Sequence, residues 1–476
     1  MRPLRWGRRP VLRIAAAAAG ASVGAGWLGA RVMAASAGAA PRVTPAPAAI
    51  SFAPNWQGAP WNKTAQTLAQ SLVDSQFTPS HRGSAVKVVA STEGQASAQI
   101  AATIAGTGYV DVFNDCCTDL PTWVASGLMM PLNSQLKQAN VDLTQWSALR
   151  VQGLNFFGHQ YGLPAYDGPE VVVYRQDLMD QFGLSYPDPG WDYATAAKLW
   201  ASAARTVNGQ RVYGVSLDNY DVNVDYLLHG WGGSLFNANH TACELQSPAA
   251  IAAGEWMFEL IWAGTASPGR DQVGGLTSGK DVFSVCGGWD TFAEATQLGS
   301  KFKWAILPQP TWAKQPATMV NSDFYAINAQ TKQPELAWEF FHWLTAQPTW
   351  TRFVMGATLT QPALVALWEE WITLAEQVAP PLKGKGLQYY RDAALGGYEV
   401  PQSFFLYNGT QATGILGAAW AELSAQKATV TAAFTQAAQQ INALQQTAQA
   451  NVALQAQEVK AFPSTGPAVA AVPAGM

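Results

Sequence analysis

The chain has 476 residues, of which 49% are hydrophobic and 13% are charged, so it can bury a sizeable core and is long enough for two domains or more. Its formal net charge is −4, and the first 42 residues hold seven arginines and no acid, so the remainder is mildly acidic. This balance excludes nucleic acid as the main partner, since phosphate binding needs a basic stripe. The 20 tryptophans exceed what packing usually requires, and tryptophan stacks well on a flat apolar face of a ligand.

The N-terminal segment has the parts of an export signal. Basic residues that include the pair Arg8-Arg9 precede an apolar stretch from Ile14 to Ala30, and Ala35-Ser36-Ala37 supplies a cleavage site. The arginine pair resembles a twin-arginine signal, which delivers a protein already folded. We therefore expect residues 1–37 to be an export signal and residues 38–48 to be a proline/alanine linker. An uncleaved anchor stays open as the alternative; a lipid anchor at the end of the leader is excluded, because no cysteine stands there.

Four cysteines follow the leader, and an exported protein meets a compartment in which disulfides form. A bridge between Cys243 and Cys286 is one expectation, and two separate thiols are the other. Cys116 and Cys117 are adjacent, so a bond between them would need a strained ring. No histidine stands at zinc-ligand spacing beside them, and we expect no metal site and no cofactor.

The first part of the chain alternates strand and helix patterns. The strand patterns cover 49–53, 86–90 and 109–113, and the helical patterns cover 61–73, 94–105 and 120–127. This β-α-β-α-β order predicts parallel strands with helices on both faces of a sheet.

Residues 161–175 form an extended segment that we expect Gly168-Pro169 to break midway. Ser247-Pro248 is a good helix start, because serine caps the helix and proline suits its first position. Later helical patterns cover 177–183, 191–207, 248–262 and 335–346, and later strand patterns cover 212–217, 304–307 and 323–329. Residues 409–459 are predicted to be helical, with a buried face of Leu416, Trp420, Leu423, Val430, Phe434, Ile441 and Leu444. The tail at 461–476 is expected to be disordered.

Several short motifs in the order found here are those of a known family. The most specific region is Gly158-His159-Gln160-Tyr161-Gly162-Leu163-Pro164 followed by Val171-Val172-Val173-Tyr174-Arg175-Gln176-Asp177-Leu178. The other landmarks are Asp111-Val112-Phe113, Gly127 to Leu132, Pro189-Gly190-Trp191-Asp192, Trp231 to Phe236, Ser278-Gly279-Lys280, Gly287-Gly288-Trp289 and Glu335 to Phe341. Together they cover about residues 48–460 and resemble family 1 extracellular solute-binding proteins, the group of maltose-type sugar-binding proteins. One departure is Asn321-Ser322, which stands where that family often has a glycine pair.

The resemblance implies an α/β protein with the two-lobed, periplasmic-binding-protein-like (type II) fold, a hinge and a ligand cleft between the lobes. The N-terminal lobe would comprise 49–167 plus 323–361, and the C-terminal lobe 168–322 plus 362–460. By analogy the chain would cross between the lobes near Asp167–Pro169, Asn321–Asp323 and Leu359–Ala363.

A sugar presents hydroxyl rims and apolar C–H faces, so its cleft needs flat aromatic rings beside polar side chains. Several loops show that combination, and Asn114-Asp115 in addition ends a strand, where open α/β sheets place ligands. The candidate ligand residues are Trp56, Glu93, Asn114, Asp115, Tyr166, Asp167, Trp231, Trp289, Asp290, Asp323, Tyr325 and Tyr407. The alternatives are packing for the aromatic residues, helix capping for Asp290 and Asp323, and a hinge role for Tyr166 and Asp167.

The sequence therefore predicts an exported, monomeric carrier that captures a carbohydrate without catalysis. The resemblance implies two membrane permease subunits and a cytoplasmic ATPase as partners of an ABC importer. Two alternatives stay open: the same fold with a different solute such as a glycerol phosphate or polyamine, and an exported glycan-active enzyme, for which a cleft rich in tryptophan and aspartate would also serve. Residues 274–281 nearly match a phosphate-binding loop, but Asp281 replaces the required serine or threonine, so we expect no nucleotide site.

Overall fold

The structure is a computed structural model. It describes residues 48–54, 63–81, 83–89, 102–103, 108–115, 120–156, 158–217, 224–237, 241–269, 272–312, 320–396 and 409–460. The expected export signal, most of the linker, the C-terminal tail and the helix expected at 94–105, apart from residues 102–103, lie outside these residues.

The strands of the described residues form one large mixed sheet and one small hairpin. They are β1 Ala48–Ala53, β2 Ser84–Val88, β3 Val112–Asp115, β4 Asn155–Phe156, β5 His159–Gln160, β6 Leu163–Arg175, β7 Arg205–Val207, β8 Gln210–Ser216, β9 Asp281–Gly287, β10 Trp304–Leu307 and β11 Val320–Ile327. The large sheet has the order β2-β1-β3-β11-β6-β9-β8-β7, and β10 also pairs with β6. The β1–β2 and β1–β3 pairs are parallel, which confirms the parallel pairing predicted for the first part of the chain. The β8–β9 pair is also parallel.

Helices pack around this sheet. They are α1 Lys63–Gln76, α2 Leu120–Ala125, α3 Asn133–Gln138, α4 Ala148–Gly153, α5 Gln176–Phe182, α6 Tyr193–Ala203, α7 Val224–Gly230, α8 Pro248–Trp262, α9 Gln272–Ser278, α10 Thr291–Ala293, α11 Pro334–Ala346, α12 Pro348–Thr358, α13 Trp368–Val378, α14 Gln388–Gly396, α15 Gly409–Ser424 and α16 Val430–Lys460. Within the described part of the chain, none of these helices has both the length and the apolar character needed to cross a bilayer.

Strand β6 joins the two halves of the large sheet. Its first residues, Leu163 to Pro169, pair with β11, and its last residues pair with β9 and β10. Alternate side chains of a strand point to opposite faces, and accordingly Val171 and Val173 enter one core while Val172 and Tyr174 enter a second. One strand thus contributes to both cores.

Local signals predicted many elements well. The cap at Ser247 is confirmed, because its Oγ accepts a hydrogen bond from the backbone N–H of Ala250 at 3.3 Å at the start of α8. Strand β10 has the predicted bounds, and the six residues predicted to line the C-terminal helices from Leu416 to Ile441 are buried.

Two local predictions were wrong. Gly168-Pro169 does not break β6, because Pro169, which has no N–H, stands where the β11 ladder ends and the β9 ladder begins. The helix predicted to continue to Val207 ends at Ala203, and Arg205–Val207 forms a hairpin with β8 instead. Asn208 and Gly209 make that turn with φ angles of 50° and 78°, a pair that favours a tight hairpin.

Candidate functional site

Three chain segments lie side by side at the junction between the two halves of the sheet. Asn321 on β11 pairs with Gly168 on β6, and Ser322 Oγ donates a hydrogen bond to the carbonyl oxygen of Tyr166 at 3.0 Å. The backbone N–H of Asp167 donates to the carbonyl oxygen of Gln361 at 3.4 Å. These are the three segments that the resemblance places at the crossings between lobes.

Trp289 supplies a flat aromatic ring at this junction. It lies on the 3-10 turn Gly288–Asp290 that follows β9, and its side chain is half-buried. The ring rests on the backbone of two glycines: a Cβ added to Gly168 would stand 2.9 Å from Trp289 Cε3, and a Cβ on Gly287 would overlap the ring. Asp290 Oδ2 accepts a hydrogen bond of 3.1 Å from the backbone N–H of Gly287. The carboxylate therefore holds the turn that presents the indole.

Buried amide side chains lie near that ring. Asn321 is only 8% exposed. Gln361 is buried, its Nε2 donates to Thr291 Oγ1 at 2.8 Å, and its Oε1 lies so close to Gly288 that a Cβ there would overlap it. Asp323 lies two residues after Asn321 on β11 and is also buried. An aromatic ring beside buried neutral amides and a carboxylate is the combination that a hydroxyl-rich ligand needs.

Asp167 is part of a buried charge pair. Its neighbours along β6 alternate between the two faces, so its side chain projects to the face opposite that of Gly168. Its Oδ1 lies 3.7 Å from Nε of Arg150, which is itself 2% exposed and donates to the carbonyl oxygen of Ala394 on α14 at 3.4 Å. Burial raises the pKa of Asp167 to about 6, against the opposing effects of Arg150 and Ser322. This pair links α4, β6 and α14.

The structure places Tyr166 and Tyr325 in the core. Their hydroxyl oxygens are 2.8 Å apart, and Trp350 Nε1 donates to the Tyr325 hydroxyl at 2.7 Å. Both tyrosines are at most 5% exposed and belong to the core that contains Phe52. Burial raises the pKa of both hydroxyls well above their ordinary value. Both hydroxyls are therefore engaged in hydrogen bonds within the protein.

Asn114 and Asp115 end β3, beside β11, and both are fully buried. Asn114 Nδ2 donates to the carbonyl oxygen of Phe324 at 2.9 Å. Trp231 lies elsewhere: its ring contacts are with Trp256 and Trp312, at centroid distances of 5.1 and 4.2 Å, in the second core. The structure thus places Trp289, Asp290 and Asp323 at the junction and directs Asp167 to the opposite face of β6, and it groups Trp231 with other tryptophans.

The expected Cys243–Cys286 bridge is absent, and neither cysteine is in a disulfide. Cys286 lies on β9 in the first core and Cys243 lies in the second core, so the two side chains are buried in separate places. Spacing along the chain could not show this. Trp56, Glu93, Tyr407, Cys116 and Cys117 lie outside the described residues.

Sequence reasoning missed Arg150, Glu294 and Gln361. Glu294 is fully buried on a π-helical turn after α10, and Tyr390 Oη donates to its Oε1 at 2.7 Å. Burial raises the pKa of Glu294 to about 8, and nearby Asp290 adds to the shift. One signal was available for Arg150, since it lies between Leu149 and Val151 in a short apolar stretch. Among the described residues no cluster of histidine, cysteine or carboxylate side chains is placed to hold a metal ion.

The family model for bacterial extracellular solute-binding proteins matches residues 59–348, which is more than half of the chain. The chain belongs to this family. A curated mannitol-binding protein of Pseudomonas aeruginosa is 26% identical over 296 residues, which cover 57% of this chain and 64% of that protein. A probable ABC transporter-binding protein of Deinococcus radiodurans is 24% identical over 237 residues, 46% of this chain and 55% of that protein. The chain thus matches somewhat over half the length of these curated relatives.

Among solved structures, an ABC substrate-binding protein from Listeria monocytogenes in complex with cycloalternan is similar to this solute-binding protein. The TM-score is 0.68 at 18% sequence identity, and the match covers 83% of this chain and 98% of that one. At this identity the likeness concerns the fold alone. It confirms the predicted two-lobed α/β architecture.

Proposed function

We propose that this solute-binding protein captures a neutral carbohydrate at the junction of its two lobes and delivers it to the membrane permease of an ABC importer. The observation that carries the proposal is the placement of Trp289. Its indole rests on the backbone of Gly168 and beside buried amides, which suits a ligand with both an apolar face and hydroxyl groups.

The relatives support this class of ligand. One is named as a mannitol-binding protein, and one similar structure holds cycloalternan. The buried cation Arg150 lies on the other face of β6, where it faces Asp167, so the ring's surroundings suit a neutral solute better than a phosphate. The two lobes have the boundaries that the resemblance to the family implies, and residues 1–37 are the export signal. The protein acts as a monomer, its partners are the permease subunits and, through them, the ATPase, and no chemical step takes place.

Thermal unfolding of the full chain against single solutes tests the proposal. The panel holds mannitol, glucose, maltose, maltotriose, glycerol 3-phosphate and spermidine. A solute that binds only the folded state adds about 2.7 kcal/mol to the free energy of unfolding at 100 times its Kd. We expect at least one sugar or polyol to raise the thermal midpoint of the wild-type protein and not that of Trp289→Ala. The solute should be recovered chemically unchanged.

Trp338→Ala is the matched control, because Trp338 is half-buried on α11 and stacks on Phe341 and His342. That variant is expected to lose stability and keep the shift. A shift with glycerol 3-phosphate or spermidine alone would contradict the carbohydrate assignment. Conversion of a bound sugar would contradict the absence of catalysis.

A further inference from the structure

Asn321 is a buried amide on β11. Its side chain is 8% exposed, and among the described residues neither Oδ1 nor Nδ2 has a hydrogen-bond partner. Buried polar groups in proteins are nearly always paired, because an unpaired one loses its hydration without compensation. Such a residue therefore reduces stability unless something else binds it.

Other buried asparagines beside the same strand are paired within the protein. Asn328, just after β11, is fully buried; its Nδ2 donates to the carbonyl oxygen of Val110 at 2.8 Å, and its Oδ1 accepts from the N–H of Gln330 at 2.9 Å. Asn114 Nδ2 likewise donates to the carbonyl oxygen of Phe324. Asn321 and Asn328 are the same residue type and are buried to nearly the same extent. The difference in their hydrogen bonding therefore comes from their positions in the fold.

The position of Asn321 is at the indole of Trp289. Directly paired residues of antiparallel strands project to the same face of the sheet, and Asn321 pairs with Gly168. The Cβ direction of Gly168 meets the Trp289 ring at 2.9 Å. The Asn321 amide and the indole therefore lie on the same face of the junction.

We propose that Asn321 determines ligand specificity by binding two neighbouring hydroxyl groups of the captured solute, an inference that rests on the proposed function. A carboxamide offers one acceptor oxygen and one donor nitrogen side by side. A vicinal diol satisfies both, because each hydroxyl can donate or accept. A phosphate group offers mainly acceptors and an ammonium group only donors, so either group in the place of the diol would leave one atom of the amide unpaired. At this position the amide thus selects a vicinal diol over a phosphate or an ammonium group.

The test compares Asn321→Leu and Asn321→Ala with Asn328→Leu, all in the full chain. Ligand-free thermal midpoints are measured first, and then the affinity for mannitol, glucose, maltose and maltotriose. Removing the unpaired amide is expected to leave the ligand-free midpoint unchanged or higher, while affinity for the sugar that the wild-type protein binds falls about tenfold or more. Asn321→Ala gives a second measurement that does not depend on fitting the larger leucine side chain. Asn328→Leu is expected to lower the midpoint and to leave the affinity unchanged.

The inference is overturned if the Asn321 variants bind the sugar within about twofold of the wild-type affinity, because the amide is then served by water or is only structural. It is also overturned if Asn321→Leu lowers the midpoint as much as Asn328→Leu does. If Trp289→Ala loses the ligand while the Asn321 variants keep it, the proposed function stands and this inference fails. If the wild-type protein binds none of the sugars, both fail.

Discussion

A Cβ on Gly168 would lie 2.9 Å from Cε3 of Trp289, so the indole rests directly on the strand that joins the two halves of the sheet. A contact this short leaves no room for a side chain at residue 168. It also means that the backbone of β6, together with that of Gly287, limits the orientations open to the ring. A displacement of that backbone towards or away from the ring would therefore move the indole face on which a sugar would stack.

Gly168→Ala is therefore expected to weaken sugar binding more than it weakens the fold. The atoms that must move are at the edge of the Trp289 ring, and Gly168 does not have a positive φ angle that would strain alanine. We expect an affinity loss of about tenfold or more, which corresponds to about 1.4 kcal/mol, with a small change in thermal midpoint. Titration calorimetry with the sugar that stabilises the wild-type protein measures the loss of affinity.

Gly414→Ala is the control for that substitution. Gly414 lies inside α15, and in the described part of the chain an added Cβ would meet nothing within 4 Å apart from its chain neighbours and its own helix backbone. Alanine should therefore stabilise the helix by about 0.5–1 kcal/mol. Sugar affinity should not change. Equal affinity losses in the two variants would mean that contact with Trp289 is not the cause.

Tyr325→Phe is expected to reduce stability and to leave sugar affinity unchanged. The Tyr325 hydroxyl accepts from Trp350 Nε1 and bonds to the Tyr166 hydroxyl, so its removal deprives two buried groups of a partner at a cost of about 1–3 kcal/mol. Urea unfolding of the ligand-free protein measures this, with Tyr213→Phe at a half-buried position on β8 as the control. A loss of sugar affinity without a loss of stability would instead assign these hydroxyls to the ligand, as the sequence analysis expected.

What the sequence could predict depends on how far apart the deciding residues are. The Ser247 cap, strand β10 and the buried face of the C-terminal helices depend on residues within a few positions of one another, and those predictions were confirmed. Each motif that resembles the family is likewise a short local pattern, and membership of the family is confirmed.

The contacts that the sequence could not show join residues that are far apart in the chain. Tyr166 and Tyr325 are separated by 159 positions, and only the fold shows that their hydroxyls meet. Arg150 and Asp167 come from different elements, so a search for polar residues next to aromatic ones found the aspartate and missed the arginine. The split of Cys243 and Cys286 between two cores likewise has no local signature.

Arg150→Met is expected to destabilise the protein by about 3–5 kcal/mol, because it leaves the Asp167 carboxylate buried without its cation. Without Arg150 the pKa of Asp167 should rise above its value of about 6. A raised carboxyl pKa means that stability is lost as pH rises through the folded-state pKa. The free energy of unfolding of the variant should therefore fall further below that of the wild-type protein at pH 8 than at pH 5.

The double variant Arg150→Met/Asp167→Asn removes the carboxylate as well and should recover much of that loss. Arg352→Met is the surface control, since Arg352 and Glu370 form an ion pair at 2.7 Å with side chains 48% and 42% exposed. It should cost no more than about 1 kcal/mol. A double variant as unstable as Arg150→Met alone would show that the arginine acts through packing and not through charge.

Glu294→Gln is expected to flatten the dependence of stability on pH. The pKa of Glu294 is raised to about 8 from an ordinary value of 4.5 by burial, with Asp290 adding to the shift and the Tyr390 hydrogen bond opposing it. The folded protein therefore favours the protonated carboxyl, and its contribution to stability is complete below about pH 4.5 and is lost as pH rises through about 8. Glutamine keeps the acceptor for Tyr390 Oη and cannot ionise.

The variant and the wild-type protein should thus be similar in stability at pH 5, and the variant should be more stable at pH 9 by on the order of a few kcal/mol. Urea unfolding at pH 5, 7 and 9 measures this difference in the free energy of unfolding. Glu255→Gln, at an exposed position on α8, is the control and should show no gain in stability at pH 9. If Glu294→Gln were less stable than wild type at pH 9, the ionised carboxylate would be the form that the fold prefers. The hydrogen bond from Tyr390 would then outweigh the cost of burying the charge.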